Sequence, residues 1–164
     1  MKQLKLELSV DVIEHFSELS AIEVELCEAA ILAKAKAYAI YSNFHVGSSL
    51  LLDNGKIVSG SNQENAVYPL TLCAERVAIF AASHQYPNVK IKKIAVATSF
   101  ESEADALPIF PCGSCRQVIR EQEVRYDSPI EVLLIGHKNQ VYRVWSVQEI
   151  LPFSFDKTVL QIDK

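Results

Sequence analysis

The spacing of apolar positions changes several times along the chain, and each change marks an expected element. Over residues 21–39, Ile22, Leu26, Ala29, Ala30, Ala33 and Ala37 fall on one stripe at helical period, with Ser20 placed to cap the start. The pattern predicts a helix, and its alanines predict close packing. Val46–Leu52 and residues 56–61 are β-prone runs joined by Asp53, Asn54 and Gly55, and Asn-Gly between such runs is a strong hairpin signal. A helix is expected over 70–83, a buried strand over Ile91–Thr98, and a further helix over 112–123, entered through Pro111. Residues 130–135 and 141–145 read as strands about a Lys138-Asn139 turn, and 147–151 as one helical turn ended by Pro152. Ahead of all these, residues 4–9 read as a short strand or extended arm. Residues 11–19 read as helical through Val12, Ile13, Phe16 and Leu19.

Five strands alternating with helices in this way predict a layered α/β fold around a mixed sheet. The chain has 164 residues, 49% of them hydrophobic, and a mean hydropathy of +0.12, enough for one compact core and too little for a second full domain. Residues 1–164 are therefore expected to form a single domain, with 1–20 as an N-terminal arm or extra helix. A net charge of −4 argues against a polynucleotide partner, which needs a basic face, and favours a small-molecule substrate. The opening MKQLKLELSV alternates polar and apolar residues, so neither a leader nor a membrane span is expected. The expected compartment is the cytoplasm, where cysteines stay reduced and more often bind metal or do chemistry than pair.

The chemistry gathers around three of the four cysteines. Cys112 and Cys115 in PCGSCRQVI have the i, i+3 spacing that puts both sulfurs on one helix face, and Cys73 in TLCAERVAIF supplies a third thiol. Three protein ligands and an open fourth position suit a catalytic zinc, whereas a structural zinc usually closes with four. No fourth ligand is evident: Cys27 reads as a small buried hydrophobe on the first helix, and none of His15, His45, His84 and His137 has ligand spacing. Three thiolates exceed the charge of the metal, and helix N-termini together with Arg76 are placed to offset the excess. Glu75, two residues past Cys73, sits where a proton shuttle belongs, although a glutamate also favours the positive end of a helix dipole.

CAERVAIF with PCGSCRQVI resembles the paired zinc motifs of the cytidine deaminases, and the resemblance extends to YSNFHVGSSLL, GSNQENAVYP and LPFSF, from Tyr41 to Phe155. It implies a three-layer α/β/α sandwich around a roughly five-stranded mixed sheet, assembled as a homotetramer. It also implies zinc-dependent hydrolysis of cytidine or deoxycytidine to the uridine and ammonia, in pyrimidine salvage. By the same resemblance, Asn62 and Glu64 hold the ribose 3′-hydroxyl and Phe44 packs on the nucleoside. Tyr68 closes the sugar side, Ala74 offers its backbone N–H to the pyrimidine, and Phe155 reaches toward a neighbour's site. His45, Ser48, Ser49 and Ser61 depart from the family's usual residues, and none of them is a proposed ligand or acid. Competing readings are a blasticidin-type deaminase with the same zinc motifs and a thioredoxin-like dithiol module built on CGSC. The latter leaves Cys73, Glu75 and the sugar-binding segment without a role.

Overall fold

The computed structural model describes residues 1–99 and 107–160. After an extended arm, the elements are β1 (Asp11–Ile13), α1 (Ala21–Lys34), β2 (Val46–Leu52), β3 (Ile57–Ser61) and α2 (Ala74–Gln85). They continue with β4 (Ile91–Thr98), α3 (Gly113–Tyr126), β5 (Glu131–Ile135), β6 (Val141–Val144) and α4 (Val147–Ile150). One sheet runs in the order β1-β6-β5-β4-β2-β3, with β4 and β5 parallel and every other neighbouring pair antiparallel.

Alternation along the strands builds the three layers. Leu50, Leu52, Ile94, Val96, Val132 and Leu134 pack with Ala78 and Ile79 of α2 and Ile119 of α3, while Leu51, Ala95, Ala97 and Leu133 pack with Leu26, Cys27 and Ala30 of α1 on the other face. Small residues let the helices lie against the sheet. A side chain at Gly47 would collide with the α1 backbone at Ala30 and Lys34, and one at Gly60 would come within 2.5 Å of the Ala78 nitrogen. Two of the serines that depart from the family pattern stitch this contact: Ser49 Oγ donates to Leu26 O at 2.5 Å and Ser61 Oγ to Lys36 O at 3.1 Å.

The sheet has six strands, one more than expected, because Asp11–Ile13 is a strand rather than part of a helix. It pairs with the edge of β6, and only Phe16–Glu18 make a helical turn. Ile13, Phe16 and Leu19 still point into the α1-side core, so the apolar spacing was real while its helical interpretation was not. Helix bounds also shift, with α3 running three residues past its expected end to Tyr126. The first helix ends at Lys34, since Tyr38 bonds across to the 62–64 backbone (Tyr38 N to Asn62 O at 3.0 Å, Glu64 N to Tyr38 O at 2.9 Å). The second begins at Ala74, because Leu72 is held in an extended bridge to Gln63. Ile22 lies off the buried stripe, at 37% exposure, and Glu23 takes its place inside.

Glu23 is held by Ser20 through its N–H at 2.9 Å and its hydroxyl at 2.6 Å, and by Lys93 at 3.0 Å and Arg143 at 2.6 Å. Burial alone would raise its carboxyl, but the Ser20 and Lys93 bonds win and bring it down to about 2. A carboxyl that titrates lower in the folded chain stabilises the fold above its unfolded value near 4.5 and loses that contribution as pH falls toward 2. Glu23→Gln is therefore expected to cost about 3 kcal/mol at neutral pH and to flatten the acid limb of stability between those values, as measured by urea unfolding against pH.

Candidate active site

Two helix starts meet at the carboxyl end of β4. Cys73 is the residue before the first turn of α2, Cys112 holds the same position on α3, and Cys115 lies within the first turn of α3. Cys73 Sγ is 3.9 Å from Cys112 Sγ, which is 3.5 Å from Cys115 Sγ, and all three lie within 4.8 Å of one another. Sulfurs bound at about 2.3 Å to a tetrahedral zinc stand about 3.8 Å apart, so the donor set fits that metal in number, chemistry and span. Among the described residues no other histidine, cysteine or carboxylate group forms such a cluster. Cys27 is fully buried in the α1-side core, where burial pushes its thiol up to about 12 and keeps it inert.

The thiols share hydrogen bonds. Cys73 is drawn well below the ordinary thiol range, first by the bond from Cys115 and then by Arg76 and Cys112, while Cys115 is pushed up by the same contact and by burial. Arg76 Nη2 reaches Cys73 Sγ at 3.6 Å and Thr71 O at 3.1 Å, which places its guanidinium beside that sulfur. Glu75 is only 4% exposed. Burial lifts its carboxyl above the usual range and the Cys73 thiolate adds to the rise, against its own backbone N–H and Arg76.

A cavity of about 230 Å³ opens beside these groups. Cys73, Cys112 and Glu75 line it with Phe44, Asn62 and Glu64, so most of the expected residues come together in one place. Asn62 accepts from Val46 N at 2.7 Å and donates to Phe44 O at 2.9 Å, which fixes the backbone on both sides of His45. Glu64 accepts from the Ser42 hydroxyl, from Tyr41 N at 2.7 Å and from Ser42 N at 3.3 Å. The Ser42 bond and then the Tyr41 N–H hold it below the usual carboxylate range. Three donors leave about one of a carboxylate's four acceptor sites, and Asn62 keeps one amide hydrogen.

Other expected residues lie outside the cavity. Tyr68 is exposed, stacks edge-on to Tyr41 at 5.8 Å between ring centroids, and borders an adjoining depression that shares Ser42, Glu64 and Thr71 with the cavity. Ala74 is fully buried as the first residue of α2, where a helix N–H has no partner within the helix. Phe155 is 57% exposed, with its carbonyl bound by Gln117 at 2.7 Å. His45 donates its N–H to Ser99 Oγ at 3.0 Å and takes no part in the lining. Ser42, Thr71, Ile109 and Phe110 do line the cavity, and sequence reasoning missed all four. The adjacency of Phe110 to the PCGSC motif was the available signal for the last.

Residues 21–126 match the family model described as the cytidine and deoxycytidylate deaminase zinc-binding region. The chain belongs to that family. Cytidine deaminase of Halalkalibacterium halodurans is 37% identical over 130 residues, covering 79% of this chain and 91% of that protein. The crystal structure of cytidine deaminase from Burkholderia pseudomallei is 41% identical with a TM-score of 0.69, covering 80% of this chain and 97% of that one. Blasticidin-S deaminase of Bacillus cereus is a more distant relative, 25% identical over 143 residues. Family membership makes the chain a zinc-dependent hydrolase, with Cys73, Cys112 and Cys115 as the thiol cluster able to hold the metal.

Proposed function

We propose that this deaminase hydrolyses cytidine and deoxycytidine to the corresponding uridines and ammonia. The observation that carries the proposal is one cavity with a three-thiol cluster and a buried carboxyl at one end and a paired amide and carboxylate at the other. Cys73, Cys112 and Cys115 hold the zinc, which when bound supplies the Lewis acidity that lets water react near neutral pH. Glu75 takes a proton from the attacking water and delivers it to N3 of the base as oxygen adds to C4; it then takes the proton of the new C4 hydroxyl and passes it to the amino group, which leaves as ammonia as the C4 carbonyl forms. Arg76 offsets the excess charge of the sulfurs.

At the far end the free Asn62 N–H and the remaining Glu64 acceptor site match the two halves of a single hydroxyl, which is the recognition a ribose 3′-OH needs. Phe44 packs on the nucleoside, Ala74 gives its N–H to the base, and Tyr68 borders the sugar side. We take residues 1–164 as one domain, supported by the sharing of a single sheet between β1 and the rest. The active form is a homotetramer in which Phe155 serves a neighbour's site, an arrangement favoured by its exposure outside its own cavity. Free thiols throughout suit a reducing cytoplasm and a role in pyrimidine salvage. Among the described residues no helix is long and apolar enough to cross a membrane.

Steady-state kinetics on cytidine, deoxycytidine and blasticidin S test the assignment, with sedimentation on the same sample. Both nucleosides are expected to be turned over at least a hundredfold more efficiently than the antibiotic, by a tetramer. Preference for blasticidin S would overturn the substrate, and a fully active monomer would overturn the shared site.

A further inference from the structure

Phe110 belongs to the apolar wall of the cavity beside Cys112, together with Ile109 and Val96. It is half-buried and packs on the core between the sheet and α2 and α3. Arg116, one turn into α3 from Cys112, braces this wall. Its Nε donates to Pro111 O at 2.7 Å, its Nη1 donates to Ile150 O at 2.7 Å, and its guanidinium carbon lies 6.0 Å from the centre of the Phe110 ring. The run Phe110-Pro111-Cys112 is thereby tied to α3 and to the end of α4 at once. A cation over an aromatic face adds to the restraint.

The chemistry fixes which edge of a bound cytosine meets that wall. The reacting carbon, C4, has N3 on one side and C5 on the other. Proton delivery requires N3 to face Glu75, which enters the cavity from α2 along with Cys73. C5 lies on the opposite side of C4 from N3 and therefore points away from Glu75. Ile109 and Phe110 line the same cavity from a different segment, the one leading into α3. We infer that Phe110, held in place by Arg116, is a specificity-determining residue that rejects cytosine nucleosides carrying a substituent at C5. Phe110 acts by touching the base, and Arg116 is a positioning residue that acts through Phe110. The inference rests on the Glu75 assignment proposed above.

The ratio of kcat/KM for 5-methylcytidine to that for cytidine reads the effect. A methyl group in an apolar pocket changes such a ratio by about 10- to 200-fold. Phe110→Ala is expected to raise the ratio at least tenfold with zinc content unchanged, and Phe110→Leu, which keeps the wall packed, to raise it less. Arg116→Met is expected to raise it in the wild-type background and to add little once Phe110 is alanine. Calorimetric binding of the products uridine and 5-methyluridine should show the same discrimination without turnover. A ratio that neither Phe110 variant moves overturns the inference, and equal Arg116→Met effects in both backgrounds overturn the bracing role. A wild type inert toward every cytosine nucleoside would instead defeat the proposed function and this inference with it, whereas activity on cytidine with an unmoved ratio defeats this inference alone.

Discussion

Replacing Glu75 with glutamine is expected to lower kcat for cytidine by about a thousandfold while leaving zinc bound. General acid–base transfer by one positioned group contributes about 10² to 10⁴ in rate, and here a single carboxyl handles the proton from water, to N3 and to the leaving amine. The side chain is buried, lines the cavity, and lies two residues from a thiol without being one of the cluster, so its amide retains the volume and spares the metal site. The pH profile gives a second reading. Glu75 must be unprotonated to accept the first proton, so kcat/KM is expected to fall on the acid side as that carboxyl is protonated. That limb should vanish in Glu75→Gln. Near-normal turnover in the zinc-replete variant would remove Glu75 from the reaction.

Cys115→Ser is expected to abolish stoichiometric zinc binding and activity together, and to lower the melting temperature by about 10 °C. Cys115 is fully buried where the starts of α2 and α3 converge, so a metal held there links the two helices that carry the whole reactive end of the cavity. At free zinc a thousandfold above Kd, binding contributes about 4 kcal/mol to the folded state, and about 2–4 °C of melting temperature accompanies each kcal/mol in a chain of this size. Zinc analysis by atomic emission and thermal melts with and without added zinc check both parts. Full zinc occupancy in the variant would take Cys115 out of the ligand set. Retained wild-type melting after zinc loss would show that the metal does not brace the two helices.

Much of this was legible in the chain itself, for reasons that can be named. The three thiols and Glu75 are close in sequence to two helix starts, and local spacing puts Cys112 and Cys115 on one helix face, whereas the joining of Cys73 to them across 39 residues came from the resemblance. Ile91–Thr98 and Val46–Leu52 were readable because their apolar runs are long and bounded by turn signals. Asp11–Ile13 was not, since three residues cannot display a period and their state is decided by the distant edge of β6. The late start of α2 has the same origin: Leu72 is extended because Gln63 bonds to it, and that bridge keeps Cys73 at the helix mouth. Within the cavity, Glu64 and Asn62 came from resemblance alone. Ser42 and Thr71, which bond to Glu64 and Arg76, come from loops whose placement depends on those contacts.

The central claim, zinc-dependent hydrolysis of the cytosine 4-amino group, is tested most directly by following ammonia release and the loss of cytosine absorbance from cytidine. The same protein is measured zinc-loaded, chelator-stripped and reconstituted. The account predicts one ammonia per uridine formed, loss of turnover on stripping and its return with zinc. Undiminished turnover by protein shown to be free of zinc, or no turnover of cytidine or deoxycytidine by the zinc-loaded form, would contradict it.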